Sequence, residues 1–216
     1  MKYPIGIQDF KQLREGGFVY IDKTDLALQL IELGQPLFLT RPRRFGKSLL
    51  LSVMHYAFLG EKHLFEGLHI YDKYDFKPFS VLHLDFAGIG RLKEDDFAGE
   101  FLDKIQKFSE KNNFFEKKVD VRAQMSALLD FFNKNNQKLV LIIDEYDKPL
   151  VDNLDDIPTA RRNQLILRSF YEIVKIQGSD IQFTMITGIT KFSQLHSCSW
   201  CRYTNPRRSV CRCRQC

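Results

Sequence analysis

The sequence has 216 residues, an ordinary apolar fraction and a formal charge of +5. This length is enough to bury one core without disulfides, and no apolar run approaches the roughly 20 residues of a membrane helix. Residues 1–10 lack a basic flank followed by an apolar block. We therefore predict no secretory signal, no membrane contact and, by default, a cytoplasmic location.

Residues 195–216, which we call the tail, differ in composition from the rest of the chain. Of the 32 basic residues, five lie in the tail beside no acid, and the other 27 match the 27 acidic residues of the chain in number. The cysteines also lie in the tail, at Cys198, Cys201, Cys211, Cys213 and Cys216. We divide the chain into one domain, residues 1–194, and a tail that is expected to be disordered.

Two interpretations of the tail stay open. Its two C-x-x-C pairs, with His196 nearby, supply enough tetrahedral ligands for zinc, although the interval between the pairs is short for a zinc ribbon. An out-of-frame translation after a frameshift accounts together for the missing acids and the enrichment in cysteine and arginine, and we favour it.

Short apolar segments predict strands and helices that alternate along the domain. Residues 3–23 are expected to be irregular apart from one short strand. In chain order the elements are strand 18–21, helix 24–33, strand 37–40, helix 48–58, strand 80–86, helices 97–108 and 121–132, strand 139–143, helix 161–176 and strand 181–187. This alternation favours an α/β sandwich of three layers around a parallel sheet.

Residues 41–48, which read RPRRFGKS and which we call the arginine-rich loop, join a predicted strand to a predicted helix. That context is required of a G-x-x-x-x-G-K-[ST] loop, in which backbone N–H groups and the helix dipole hold phosphate. Lys47 is then predicted to reach the β- and γ-phosphates and Ser48 to bind Mg²⁺. Arg41 replaces the first glycine of the pattern, and a basic surface turn is the alternative interpretation.

The strand at 139–143 leads into two acids at its carboxyl end, where ligands bind in open α/β sheets. We predict that Asp144 and Ser48 are the metal ligands, and that Glu145 polarises the attacking water as a general base. Thr187 ends the last strand and is predicted to sense the γ-phosphate, whereas Asp85 is interpreted as a loop cap. The predicted catalytic residues are Glu145 and Lys47, and the predicted nucleotide-binding residues are Arg43, Arg44, Phe45, Gly46, Lys47, Ser48, Leu49 and Thr187.

Six segments between residues 3 and 193 have counterparts in one protein family. They are YPIGIQDF (3–10), YIDKT (20–24), RPRRFGKSLLLS (41–52), LFEGL (64–68), IDEYDKP (143–149) and TGITKFS (187–193). The chain thereby resembles the bacterial AAA-ATPase-like family, in which the arginine-rich loop is usual. The resemblance implies an ASCE-type P-loop NTPase fold, ATP as the nucleotide and ATP hydrolysis in intact relatives.

The resemblance also implies further ATPase segments and a restriction-endonuclease-like nuclease domain in full-length members, and we expect neither in this chain. We therefore expect a fold that is incomplete at its C-terminal end and a chain truncated after about residue 193. ATP and Mg²⁺ are the expected ligands, and a protein partner is expected to cover the exposed core. Nucleic acid is expected only indirectly, through the missing domain. Hydrolysis in this class generally needs elements after the fourth strand, so we expect that the truncation can abolish hydrolysis while nucleotide binding survives.

Two alternatives to an ATP-binding domain remain. One is a nucleic-acid-binding module that uses the arginine-rich loop and the tail, although the neutral charge of residues 1–194 argues against it. The other is a non-functional gene fragment.

Overall fold

The computed structural model describes residues 2–89, 94–189 and 210–212. Its strands are β1 Leu37–Thr40, β2 Ser80–Asp85, β3 Leu139–Asp144, β4 Ile181–Gly188 and β5 Val210–Arg212. Its α-helices are α1 Phe10–Glu15, α2 Thr24–Glu32, α3 Lys47–Leu59, α4 Glu94–Lys111, α5 Val121–Lys134, α6 Lys148–Val151 and α7 Ile157–Ile176. Two 3-10 helices, Lys62–Phe65 and Gly178–Asp180, complete the described elements.

The strands form one sheet in the order β2–β3–β4–β1–β5. Strands β2, β3, β4 and β1 are parallel to one another, and β5 is antiparallel to β1. Strand β4 therefore lies between β1, which leads into the arginine-rich loop, and β3, which ends in Asp144. The predicted α/β fold with a parallel central sheet is confirmed, and it is consistent with a P-loop NTPase-like fold.

The sheet is covered on both faces, which gives the three predicted layers. All six residues of β3 are buried, and their side chains alternate between the two faces. Leu141 and Ile143 pack with apolar residues of α4, α5 and α7. Val140 and Ile142 pack on the other face with residues of α2 and α3.

The starts of α1, α5 and α7 are fixed by acidic side chains that accept backbone N–H groups of the first turn. The carboxylates of Asp9, Asp120 and Asp156 accept the N–H groups of Gln12, Ala123 and Thr159 at 2.7, 2.8 and 3.3 Å. None of the helices in the described ranges is both long and apolar enough to cross a membrane.

The N-terminal region differs from the prediction. The strand expected at 18–21 is wrong, because the structure has only an isolated bridge between Lys2 and Phe18 there. The irregular region instead contains α1, whose Phe10 and Leu13 are buried. Gly16 and Gly17 follow this short helix closely, and they obscured its apolar spacing.

The tail contributes β5, which pairs with Leu37, Phe38 and Leu39 of β1. Val210–Arg212 is the part of the tail that the structure describes, as a strand where the sequence predicts disorder. The zinc interpretation depends on side chains outside the described residues, and the frameshift interpretation stays a prediction.

Removal of side-chain volume at the centre of the sheet should destabilise the whole domain. Leu141 is 0% exposed between β2 and β4, so Leu141→Ala should lower the free energy of unfolding by about 2–5 kcal/mol through lost burial and a residual cavity. Urea unfolding followed by circular dichroism measures this change. Leu154 is 63% exposed, and Leu154→Ala should change the same quantity by less than about 0.5 kcal/mol. Equal effects of the two substitutions would contradict the placement of β3.

Candidate functional site

The arginine-rich loop turns from β1 into α3 through two residues with left-handed backbone angles. Arg44 has φ 66° and Gly46 has φ 74°, a region that glycine enters without the steric cost of a side chain. Gly46 is also the N-cap of α3, and no side chain caps the helix there. The first N–H groups of α3, which have no partner within the helix, therefore face the loop.

The ammonium group of Lys47 is held inside the arginine-rich loop. The residue is 7% exposed, and Nζ donates to the backbone oxygens of Arg41 and Pro42 at 2.9 and 3.1 Å. These two bonds use two of the three donors of an ammonium group. A buried positive charge thus lies beside the open N-terminus of α3, and the combination favours an anion.

The other predicted nucleotide-binding residues of the loop differ in exposure. Arg43, Arg44 and Phe45 are exposed, Phe45 by 63%. Ser48 and Leu49 are half-buried, and the side chain of Leu49 packs against the apolar cluster that contains Phe10 and Phe65.

At the end of β3 the carboxylate of Asp144 is almost fully buried, at 6% exposure. Its Oδ1 accepts the backbone N–H of Glu145 at 2.9 Å and the hydroxyl of Thr187. Thr187 is 0% exposed. Its contact is therefore with the predicted metal ligand, while its predicted role as a sensor of phosphate stays a prediction.

Ser48, Asp144 and Glu145 line one cavity of about 270 Å³. Two of them are the predicted metal ligands, and the third is the predicted base. Because β1, β4 and β3 are parallel neighbours, their carboxyl ends meet at one edge of the sheet. The remaining wall is formed by Gln8, Asp9, Ser52, His55, Tyr56, His83, Asp85 and Ala87.

Glu145 is in an environment that disfavours its charged form. Burial raises the pKa of its carboxyl, the negative charges of Asp144 and Asp85 raise this pKa further, and Lys148 and Arg43 oppose the shift. A carboxylate with a raised pKa is a stronger proton acceptor. The backbone of Glu145 has φ 52°. Positive φ is uncommon for residues other than glycine, and such residues recur at functional sites.

The sequence reasoning missed several residues of the cavity wall. Ser52 and His55 follow Ser48 at helical spacing, so the periodicity of α3 was a usable signal. Burial lowers the pKa of His55 to about 4, helped by the nearby His83. Asp85 accepts the N–H of Ala87 at 2.8 Å, as a loop cap does, but it also lines the cavity.

The sequence around Asp9 did not indicate that this residue lines the cavity. Asp9 is the N-cap of α1, and the packing of that helix places it in the wall. Its Oδ2 accepts the hydroxyls of Tyr56 and Ser52, at 2.9 and 3.4 Å, and so joins the start of α1 to α3.

The donor set of the site fits Mg²⁺ with a nucleotide. Mg²⁺ takes oxygen ligands and is usually held by one or two carboxylates together with waters and substrate phosphates. The carboxylate of Asp144 and the hydroxyl of Ser48 are of this kind and line the same cavity.

A family model described as "Predicted AAA-ATPase" matches residues 4–196. The chain belongs to the AAA-ATPase-like family. The resemblance noted in the sequence is thereby confirmed, and the AAA-ATPase-like domain extends over nearly all the described residues.

One curated relative of this AAA-ATPase-like chain is a protein of Azotobacter chroococcum mcd 1 described as "Uncharacterized protein in vnfD 5'region". It is 36% identical over 197 residues, which are 90% of this chain and 38% of the relative. The chain therefore spans less than half the length of that protein. No solved structure matches the chain.

Neutralising Glu145 should stabilise the AAA-ATPase-like domain when no ligand is added. The folded state holds the proton of Glu145 more tightly than the unfolded state does, so ionisation costs stability as the pH rises through the raised pKa. Glu145→Gln should therefore raise Tm at pH 7, and its advantage should vanish below about pH 4, where the unfolded side chain is also protonated. Thermal unfolding over this pH range measures both effects.

The matched control is Glu100→Gln, on an exposed position of α4, which should leave Tm nearly unchanged. A lower Tm for Glu145→Gln than for the wild type at pH 7 would contradict the electrostatic description of the cavity.

Proposed function

We propose that the chain binds ATP with Mg²⁺ between the arginine-rich loop and the end of β3. The observation that supports this best is that Ser48 and Asp144 line the same cavity beside the open N-terminus of α3. A helix N-terminus with free N–H groups favours phosphate, and an acid and a hydroxyl that line the same cavity favour the metal that accompanies phosphate. Membership of the AAA-ATPase-like family supports adenine as the base.

Several residues of the site have a role in this proposal. The N–H groups at the start of α3 and the ammonium of Lys47 bind the β- and γ-phosphates. Ser48 and Asp144 would hold Mg²⁺, which would neutralise charge on the phosphate oxygens. Arg43 and Arg44 are exposed next to this position, so they add positive charge at the mouth of the site.

We assign Glu145 the general-base role in hydrolysis. Its raised pKa, caused by burial and by the neighbouring acids, suits a group that takes a proton from water as the water attacks the γ-phosphorus. The bond from the γ-phosphorus to the oxygen that bridges it to the β-phosphate breaks, ADP leaves with that oxygen, phosphate follows, and Glu145 returns the proton to solvent. Binding and turnover are separate parts of the proposal, because the first needs the loop and the metal ligands and the second also needs Glu145.

Loss of the ammonium group of Lys47 should weaken nucleotide binding. A hydrogen bond to a charged group contributes about 1.5–3 kcal/mol, so Lys47→Ala should raise the Kd for a fluorescent ATP analogue by about 10- to 150-fold in the presence of Mg²⁺. Fluorescence anisotropy measures the Kd, and competition with unlabelled ATP and GTP reports the preference for adenine.

The matched control is Lys134→Ala, which removes an exposed lysine at the end of α5 and should leave the Kd unchanged. If Lys47→Ala and the wild type bind the analogue with equal affinity, the assignment of the arginine-rich loop is wrong.

A further inference from the structure

The position of Thr187 in the sheet restricts the directions that its hydroxyl can take. The residue lies on β4 opposite Leu39 of β1, and its neighbour Ile186 lies opposite Ile143 of β3. It is 0% exposed. A β-branched side chain is restricted at χ1, so burial and the backbone together limit where its oxygen can lie.

The hydroxyl of Thr187 can donate only one hydrogen bond, which limits the groups that it can contact as a donor. A hydroxyl group carries one hydrogen, and Thr187 donates it to Oδ1 of Asp144. A phosphate oxygen is an acceptor and needs a donor. While that hydrogen is donated to Asp144, Thr187 has none to give to a γ-phosphate.

The two oxygens of Asp144 are consequently unequal. Oδ1 accepts both the hydroxyl of Thr187 and the backbone N–H of Glu145. Within the described part of the chain, no hydrogen bond reaches Oδ2, and Asp144 lines the cavity together with Ser48. The two donors thus hold the carboxylate by one oxygen, and the other remains available for a ligand.

We propose that Thr187 is a positioning residue, whose hydroxyl orients the carboxylate of Asp144 so that Oδ2 is presented to Mg²⁺. The assignment rests on the proposed function, because it concerns the metal of the same site. Partners that hydrogen-bond to a metal ligand fix its orientation, and their loss typically costs 10- to 100-fold in metal affinity. We therefore expect Thr187 to affect nucleotide binding only by way of the affinity for Mg²⁺.

The test compares Thr187→Val and Thr187→Ser in the full chain. Valine keeps the shape and removes the donor, whereas serine keeps the donor and removes a methyl group. Mg²⁺ is titrated into each protein with the fluorescent ATP analogue. We expect Thr187→Val to raise the half-saturating Mg²⁺ concentration by about 10- to 100-fold, with the affinity for the analogue in EDTA unchanged. Thr187→Ser should titrate like the wild type. A packing role predicts the opposite order, because only serine leaves a cavity.

The matched control is Thr184→Val, the same change on the same strand at a site that is 3% exposed and lies opposite Leu141. It should not alter the Mg²⁺ titration. If Thr187→Val does not fold, Thr187→Ala and Thr187→Ser are compared, since both lack the methyl group and only serine retains the hydroxyl. Equal Mg²⁺ requirements for that pair would overturn the assignment.

Failure of this assignment differs from failure of the proposed function. A Thr187→Val protein that folds and titrates like the wild type, while Lys47→Ala loses binding, overturns the role of Thr187 alone. Equal binding by the wild type and Lys47→Ala, with no dependence on Mg²⁺, overturns the nucleotide site and the role of Thr187 together.

Discussion

The site depends on the hydrogen bonding of β4 to both β1 and β3 in parallel. Leu39 pairs with Thr187, and Ile143 pairs with Ile186, so the three strands end at the same edge of the sheet. The arginine-rich loop continues from the first strand, and Asp144 ends another. These groups are about a hundred residues apart in the chain, and no local interaction brings them together. The central strand sets their separation, and its Thr187 also donates to the acid of its neighbour.

Helix α3 serves the core and the cavity with different faces. Leu51, Met54 and Phe58 pack against the sheet, whereas Ser48, Ser52 and His55 line the cavity. A helix with apolar residues on one stripe can give another stripe to polar contacts without losing its packing. The acceptor role of Asp9 toward Ser52 and Tyr56 then fixes α1 against this polar stripe. The burial of Phe10 beside Phe65 and Ala57 strengthens the same contact.

The sequence was sufficient to predict the elements that follow from apolar periodicity or from a local motif. Five consecutive apolar residues before Asp144 predict a strand buried on both faces, and β3 is one. The arginine-rich loop was found from its place between strand and helix. The contact of Thr187 with Asp144 was not predictable, because it depends on the order of strands in the sheet rather than on spacing along the chain. The same holds for Asp9, which reaches the cavity only through the packing of a six-residue helix that periodicity did not reveal.

The acids of the cavity couple the stability of the folded domain to the binding of a cation. Burial is the largest cause of the raised pKa of Glu145, and the charges of Asp144 and Asp85 raise this pKa further. The ionised carboxylates therefore repel one another when no cation is bound. The backbone of Glu145 adds the cost of a left-handed conformation. These costs are local, whereas the buried strand β3, which ends in Asp144, is held by apolar contacts on both faces. A divalent cation at Asp144 would lessen the repulsion, and a ligand that binds only the folded state stabilises it by mass action. The repulsion among the carboxylates therefore destabilises the site without a cation and favours the binding of one.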